Sequence, residues 1–147
     1  MGFTQHYNHS TDLPQKKWDA FVKDVKFALV GSGKVIQLED DNTSFPIIDK
    51  DQIIFNGIGE DSHETFYLTR KEQAYFCKTA RKAYDKYVVA VLMLAKMHFG
   101  NSFEFCTEGN QEDMIEGQGL VQDQLNIKIE LVLVNSSGSH LVTVNKI

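Results

Sequence analysis

The stretch from Tyr87 to Phe99 (YVVAVLMLAKMHF) is the most apolar in the chain and sets the strongest condition on the fold. Tyr84, Val88, Val91, Leu92, Ala95 and Phe99 recur at helical spacing. Tyr87, Val89, Met93 and Leu94 widen that stripe almost all round, so the helix must be covered on more than one side. The run Phe76-Cys77-Lys78-Thr79-Ala80-Arg81-Lys82-Ala83-Tyr84-Asp85 leads into it. The pattern predicts a helix starting near Thr79 or Ala80, with Thr79 as N-cap and Gly100 as the stop. Lys78, Arg81 and Lys82 then sit at a helix N-terminus, the electrostatically unfavourable end for cations. A bound anion would remove the conflict.

The segments around this helix read as β and α in mixture. Gly2 to Asn8 is a strand near the start, with Thr4 and His6 on one face and Phe3 and Tyr7 on the other. Ser10, Thr11 and Asp12 offer N-caps, with Pro14 in the first turn of the helix that follows. Trp18, Phe21, Val22, Val25 and Leu29 form its apolar stripe, Lys16, Lys17, Lys23 and Lys26 face mostly outward, and Gly31-Ser32-Gly33 ends it. Lys34 to Leu38 is a short strand and Glu39 to Lys50 a loop. Gln52 to Asn56 and His63 to Thr69 form a hairpin around a glycine-containing loop. Ser102 to Thr107 is a strand, and Asn110 to Asn126 a weaker helix interrupted by Gly117 and Gly119.

The tail alternates Ile127, Ile129, Leu131 and Leu133 with Lys128, Glu130, Val132 and Val134, then resumes at Leu141 to Val144. It reads as a terminal hairpin with both faces apolar near Val132 and Val134, to be buried on the main sheet or against a second subunit. The expected architecture is α+β: a mainly antiparallel sheet with about three helices packed on it. Residues 1–126 form the domain, and 127–147 a hairpin extension for packing or homo-oligomerisation.

Composition bounds the partners. The formal net charge is -5 over 147 residues, which argues against a nucleic-acid polymer. Yet Arg70 to Lys86 holds six basic residues against Glu72 and Asp85, while acidic residues gather at Glu39-Asp40-Asp41, Glu60-Asp61 and Glu104 to Glu116. A local basic patch on an acidic protein suits a small anionic ligand. The longest apolar run is too short to span a bilayer, so no membrane partner is expected. Cys77 and Cys106 make neither a disulfide framework nor a zinc spacing, which fits a cytoplasmic protein. His6, His9, His63, His98 and His140 show no ligand spacing, so neither metal nor cofactor is expected.

The candidate binding residues fall into three groups. In the first, Arg81 would clamp a phosphate or carboxylate, Lys78 and Lys82 add charge and Thr79 donates its hydroxyl. The bland alternative is a solvated turn with Asp85 pairing Arg81 or Lys82. In the second, Asn56 and Thr65 would read a base or sugar, while His63 or Glu64 would move a proton. The alternative is turn chemistry at Asn56-Gly57. In the third, Thr4 and His6 would line a pocket, with Tyr7 or Tyr84 stacking on a base. Cys77 beside Lys78 at a helix start would be a nucleophile only with His63 as its base; a small buried cysteine is the simpler expectation.

Phe3-Thr4-Gln5-His6-Tyr7 after Gly2, the run Asn56-Gly57-Ile58-Gly59-Glu60-Asp61-Ser62-His63-Glu64-Thr65-Phe66, and Phe76-Cys77-Lys78-Thr79 with Arg81-Lys82 and Tyr84-Asp85 share a family pattern. In this order they resemble a family of small uncharacterised proteins from bacteria and their phages, over roughly residues 1 to 126. The sequence departs from that pattern at Ala83, where proline is expected, and in the tail hairpin. The resemblance places the protein in a host cytoplasm if phage-encoded. There, sequestration of a nucleotide-type immune signal without turnover is the leading expectation. The alternatives are an enzyme acting on such a ligand, with His63, Glu64 and His6 as acid/base residues, and a protein-interaction module inhibiting a host factor.

Overall fold

A computed structural model describes residues 3–39 and 44–147. Gly2, Asp40 and Asp41, which entered the sequence reading, lie outside the described residues. Among those described, three helices and two antiparallel sheets alternate as an α+β fold.

The first sheet has five strands in the order β6-β1-β7-β9-β8. These are β1 (Thr4–His9), β6 (Gln73–Lys78), β7 (Glu104–Thr107), β8 (Ile129–Ser136) and β9 (Ser139–Lys146). The second sheet is centred on β4 (Gln52–Gly57), which pairs with β2 (Ile36–Gln37), β3 (Ile47–Ile48) and β5 (Phe66–Thr69). Two of these strands depart from the sequence reading. β3 interrupts the expected loop, and β6 stands where a connection into the central helix was expected.

Helix α1 (Gln15–Ala28) buries Trp18, Phe21, Val22 and Val25 as its stripe dictates, and its four lysines are exposed. It begins later than expected: Pro14 occupies the N-cap position, without a side-chain cap. Gly31, in the left-handed region at φ 82°, turns the chain away. Helix α2 (Asp85–Phe99) is buried on nearly every side from Tyr87 to Ala95. It packs on α1, on β9 and most extensively on helix α3 (Gln111–Leu125). Asn110 caps α3 in a capping box with Asp113. Gly117 has a reason beyond propensity: a Cβ there would lie 2.6 Å from Val89 Cγ1, so the glycine lets α3 approach α2 closely.

The main correction concerns the start of α2. It begins at Asp85, not at Thr79 or Ala80, so Lys78, Arg81 and Lys82 are not at a helix N-terminus. Lys78 ends β6, and the amides of Thr79 and Ala80 both donate to Phe3 O, at 3.0 and 3.3 Å. Thr79 to Lys82 then forms a turn closed by Lys82 N donating to Thr79 O at 3.0 Å. Its central residues Ala80 and Arg81 both lie in the left-handed region, at φ 52° and 55°. No right-handed helix can contain such a pair. The first helical residue is an acid, which suits the dipole without any bound anion.

The tail hairpin turns at Ser137 and Gly138, both at positive φ, a two-residue connection matched to strand twist. It joins the five-stranded sheet through β9, whose Leu141 and His140 pair with Cys106 and Thr107 of β7. Val132 and Val134, expected to be buried on the main sheet or against a second subunit, are not buried on the sheet, being 41% and 54% exposed.

Candidate functional site

The three segments singled out in the sequence meet at the β6 edge of the first sheet. β1 lies beside β6, with Thr4 opposite Lys78 and His6 opposite Phe76. The loop 57–65 crosses the end of β6. Glu64 N donates to Lys78 O at 3.2 Å, and Lys78 N donates to Glu64 Oε1 at 2.9 Å. His63 Nδ1 lies 2.7 Å from the same Lys78 carbonyl, which fixes the proton on that nitrogen and leaves Nε2 turned elsewhere. Tyr84 OH donates to Glu64 O at 2.6 Å and ties the entry of α2 to the same loop. Gly57 is required here: a Cβ would sit 2.2 Å from Asp61 O and 3.0 Å from the Tyr84 ring.

This junction consumes much of the chemistry expected to face a ligand. Asn56 is buried and fully committed. Its Nδ2 donates to His63 O and Thr65 Oγ1, while Oδ1 accepts from Gly57 N and His63 N. It has no donor or acceptor left for a base or sugar. Glu64 does not orient His63: its Oε1 accepts from the Lys78 amide, and His63 Nδ1 is held by the Lys78 carbonyl instead. Tyr7 and Tyr84 are fully buried, with their hydroxyls on the Tyr67 and Glu64 carbonyls, so neither presents a face for stacking. Burial raises the pKa of both phenols.

Thr79 is likewise buried, its hydroxyl donating to Asp85 Oδ1 at 2.6 Å. Thr4 is buried, with its amide on Glu108 Oε1. Cys77 is the buried residue of β6 and is not at a helix start. Burial pushes its thiol up to about 12, which removes it as a nucleophile at neutral pH.

Asp85, read in the sequence as a partner for Arg81 or Lys82, is spent elsewhere, and Asp113 went unrecognised. Asp85 is buried and accepts from Thr79 and from Gln5 Nε2 at 3.0 Å, rather than pairing Arg81 or Lys82. Burial raises its carboxyl above the usual aspartate range, against the pull of those two bonds. Asp113 takes Arg81 instead, with Oδ1 and Oδ2 at 3.2 and 3.4 Å from Nε and Nη2. Its burial opposes ionisation, but the bonds from Arg81 and the Asn110 backbone hold its carboxyl below the ordinary range. The Arg81 guanidinium also lies 4.1 Å from the centre of the Phe3 ring. The only local signal for Asp113 was its spacing from Asn110; nothing in the sequence joins it to Arg81.

A cleft of about 380 Å³ opens between this turn and α3, lined by Arg81, Lys82, Asp85, Lys86, Glu112, Asp113 and Glu116 among others. Its cations and carboxylates are interleaved, with Lys86 3.7 Å from Glu116. Lys78 and Lys82 have no carboxylate partner among the described residues. On the sheet face turned away from the helices, Lys78 Nζ lies 5.9 Å from the Phe76 ring centre. There His6 Nε2 is 3.5 Å from Glu108 Oε2. No metal-holding group of three His, Cys, Asp or Glu side chains occurs among the described residues. No helix among them is long and apolar enough to cross a membrane.

In comparisons with known proteins the chain matches no family model, no curated protein and no solved structure.

Proposed function

We propose that this chain is a binding protein for a small phosphate-bearing ligand of nucleotide type, held at the junction without turnover. The observation that carries the reading is the turn Thr79–Lys82. Two consecutive non-glycine residues, Ala80 and Arg81, are held left-handed at φ 52° and 55°. Each such residue costs on the order of 1–3 kcal/mol, and such strain concentrates where a site must be presented in one shape. This turn presents Arg81 and Lys82, with Lys78 at the end of β6 just before it, on a mount pinned by Phe3, Glu64 and Tyr84.

Lys78 and Lys82 are the cations left to meet an anion, Lys82 in the cleft beside Arg81 and Lys78 over the Phe76 ring, with exposed His63 bonded to the Lys78 carbonyl. Arg81 joins only by leaving Asp113 for the ligand, an exchange of one anion for another. The resemblance of the three converging segments to small phage and bacterial proteins supports sequestration of an immune signal as the setting. The His63–Glu64 pair that catalysis would need is not assembled, which favours holding over turnover.

Incubation with a panel of cyclic and linear nucleotides, followed by denaturation and chromatography of what is released, tests this. Recovery of intact ligand from the wild-type protein, lost in Lys78→Ala/Lys82→Ala, is the expected result. Recovery of a converted product would transfer the site to the enzyme reading. No retention of any member would end the proposal.

A further inference from the structure

β8 forms one outer edge of the five-stranded sheet, and its outward backbone groups can be assigned from the register. Ile147 N donates to Lys128 O at 2.9 Å, so the even-numbered residues of β8 bond toward β9 and the odd-numbered ones face away. At Ile129 the outward groups are covered by α3. Its N–H donates to Gln122 Oε1 and its carbonyl accepts from Gln118 Nε2, each at 3.0 Å. Leu131, Leu133 and Asn135 have no such partner among the described residues. The strand runs to Ser136 without proline or interruption of its register, and Glu130 is its only charge. It therefore lacks the usual protections of an exposed edge beyond its first residue.

We propose that β8 pairs antiparallel with β8 of a second copy about a two-fold axis at Leu133, making one continuous sheet across both chains. The structure limits the register. Pairing cannot extend to Ile129, whose groups α3 holds, nor past the turn at Ser137 and Gly138. The register centred on Leu133 joins all three open residues of each chain: Leu131 to Asn135 of the second copy, Leu133 to Leu133, and Asn135 to Leu131.

On the face away from the helices it sets Val132 beside Val134 of the second copy, twice. These are the tail's two exposed valines, and cross-strand pairs of β-branched residues stabilise such a contact. Glu130 then faces Ser136, so no like charges oppose. The interface is narrow, so association in the micromolar range is expected rather than an obligate dimer. The proposal stands on the edge alone and does not depend on the ligand at the opposite edge.

Sedimentation velocity across protein concentration, with the full chain, tests it. Wild type is expected to shift from monomer to dimer with rising concentration. Val132→Lys/Val134→Lys, which opposes lysines across the axis at positions already exposed, is expected to stay monomeric with an unchanged circular dichroism spectrum. Register is tested in a Cys106→Ser background by mixing chains carrying Val132→Cys with chains carrying Val134→Cys. Oxidation is expected to link the mixture but neither chain with itself, because identical positions lie two residues out of register, beyond disulfide reach. A wild type monomeric at every concentration, a dimer unaffected by the lysines, or cross-linking without regard to position would each overturn the pairing.

Discussion

The two edges of the five-stranded sheet are built alike and finished differently. At β6, the outward N–H and C=O of Lys78 are taken by Glu64 and His63, from a loop 14 and 15 residues away in sequence, while outward Phe76 and Ala74 have no such backbone partner among the described residues. At β8, two glutamines of α3 cover Ile129 and the next three outward positions stay open. Backbone pairing inside each strand is the same; the difference lies in which distant side chains are spent on the edge. Where the loop covers Lys78, β6 has no backbone left to offer another strand, and the side chains there are left to meet something small. β8 keeps the longer open run, three outward positions against two, and the natural partner of such unpaired backbone is another strand.

The contrast can be broken most severely at Gly57. Gly57→Ala would force a Cβ to within 2.2 Å of Asp61 O, displacing the loop that covers the end of β6. A loss of about 3 kcal/mol is expected in chemical denaturation, in line with overpacking of a tight site. Tyr84→Phe removes the 2.6 Å bond to Glu64 O and should cost about 1–2 kcal/mol by the same measurement. Ala80→Gly relieves a left-handed alanine. It should raise stability by up to about 1 kcal/mol while weakening ligand binding, because the turn is no longer held to one shape. None of the three should alter association through β8.

Asp85→Asn is expected to have the smallest effect at any one pH, and its signature is in the pH dependence. Because burial raises the folded-state value of Asp85, the native state keeps a proton that the unfolded chain has released. The stabilising contribution is whole below the ordinary aspartate range, about 3.9, and falls away as pH rises through the folded value. Thermal unfolding from pH 3 to 7 should show that decline in wild type and a flatter profile in Asp85→Asn.

Much of the scaffold was legible because it follows periodicity. The α1 stripe, the all-round apolar α2, and the alternation of the tail hairpin each appear where spacing put them. The misplaced start of α2 has a specific cause. Thr79-Ala80-Arg81-Lys82-Ala83 is rich in strong helix formers, but the Phe3 carbonyl takes two of its amides and forces a left-handed turn. Local propensity cannot register a contact 76 residues away. At the site, the sequence did pick out residues that come together, Asn56, His63, Glu64, Lys78 and Tyr84 among them. It could not show that Asn56, Tyr84 and the Glu64 carboxylate would be spent on backbone groups. That depends on the fold having brought bare carbonyls and amides of β6 within reach.

The central claim is that the covered end of β6, with the turn that follows it, holds an anion. Titration of the isotopically labelled protein with inorganic pyrophosphate, followed by amide chemical shifts, addresses it most directly. Saturable shifts clustered at His63 and at Lys78 to Lys82, and abolished by Lys78→Ala/Lys82→Ala, are predicted. Shifts absent there, or spread over the lysines of α1 to the same degree, would contradict it.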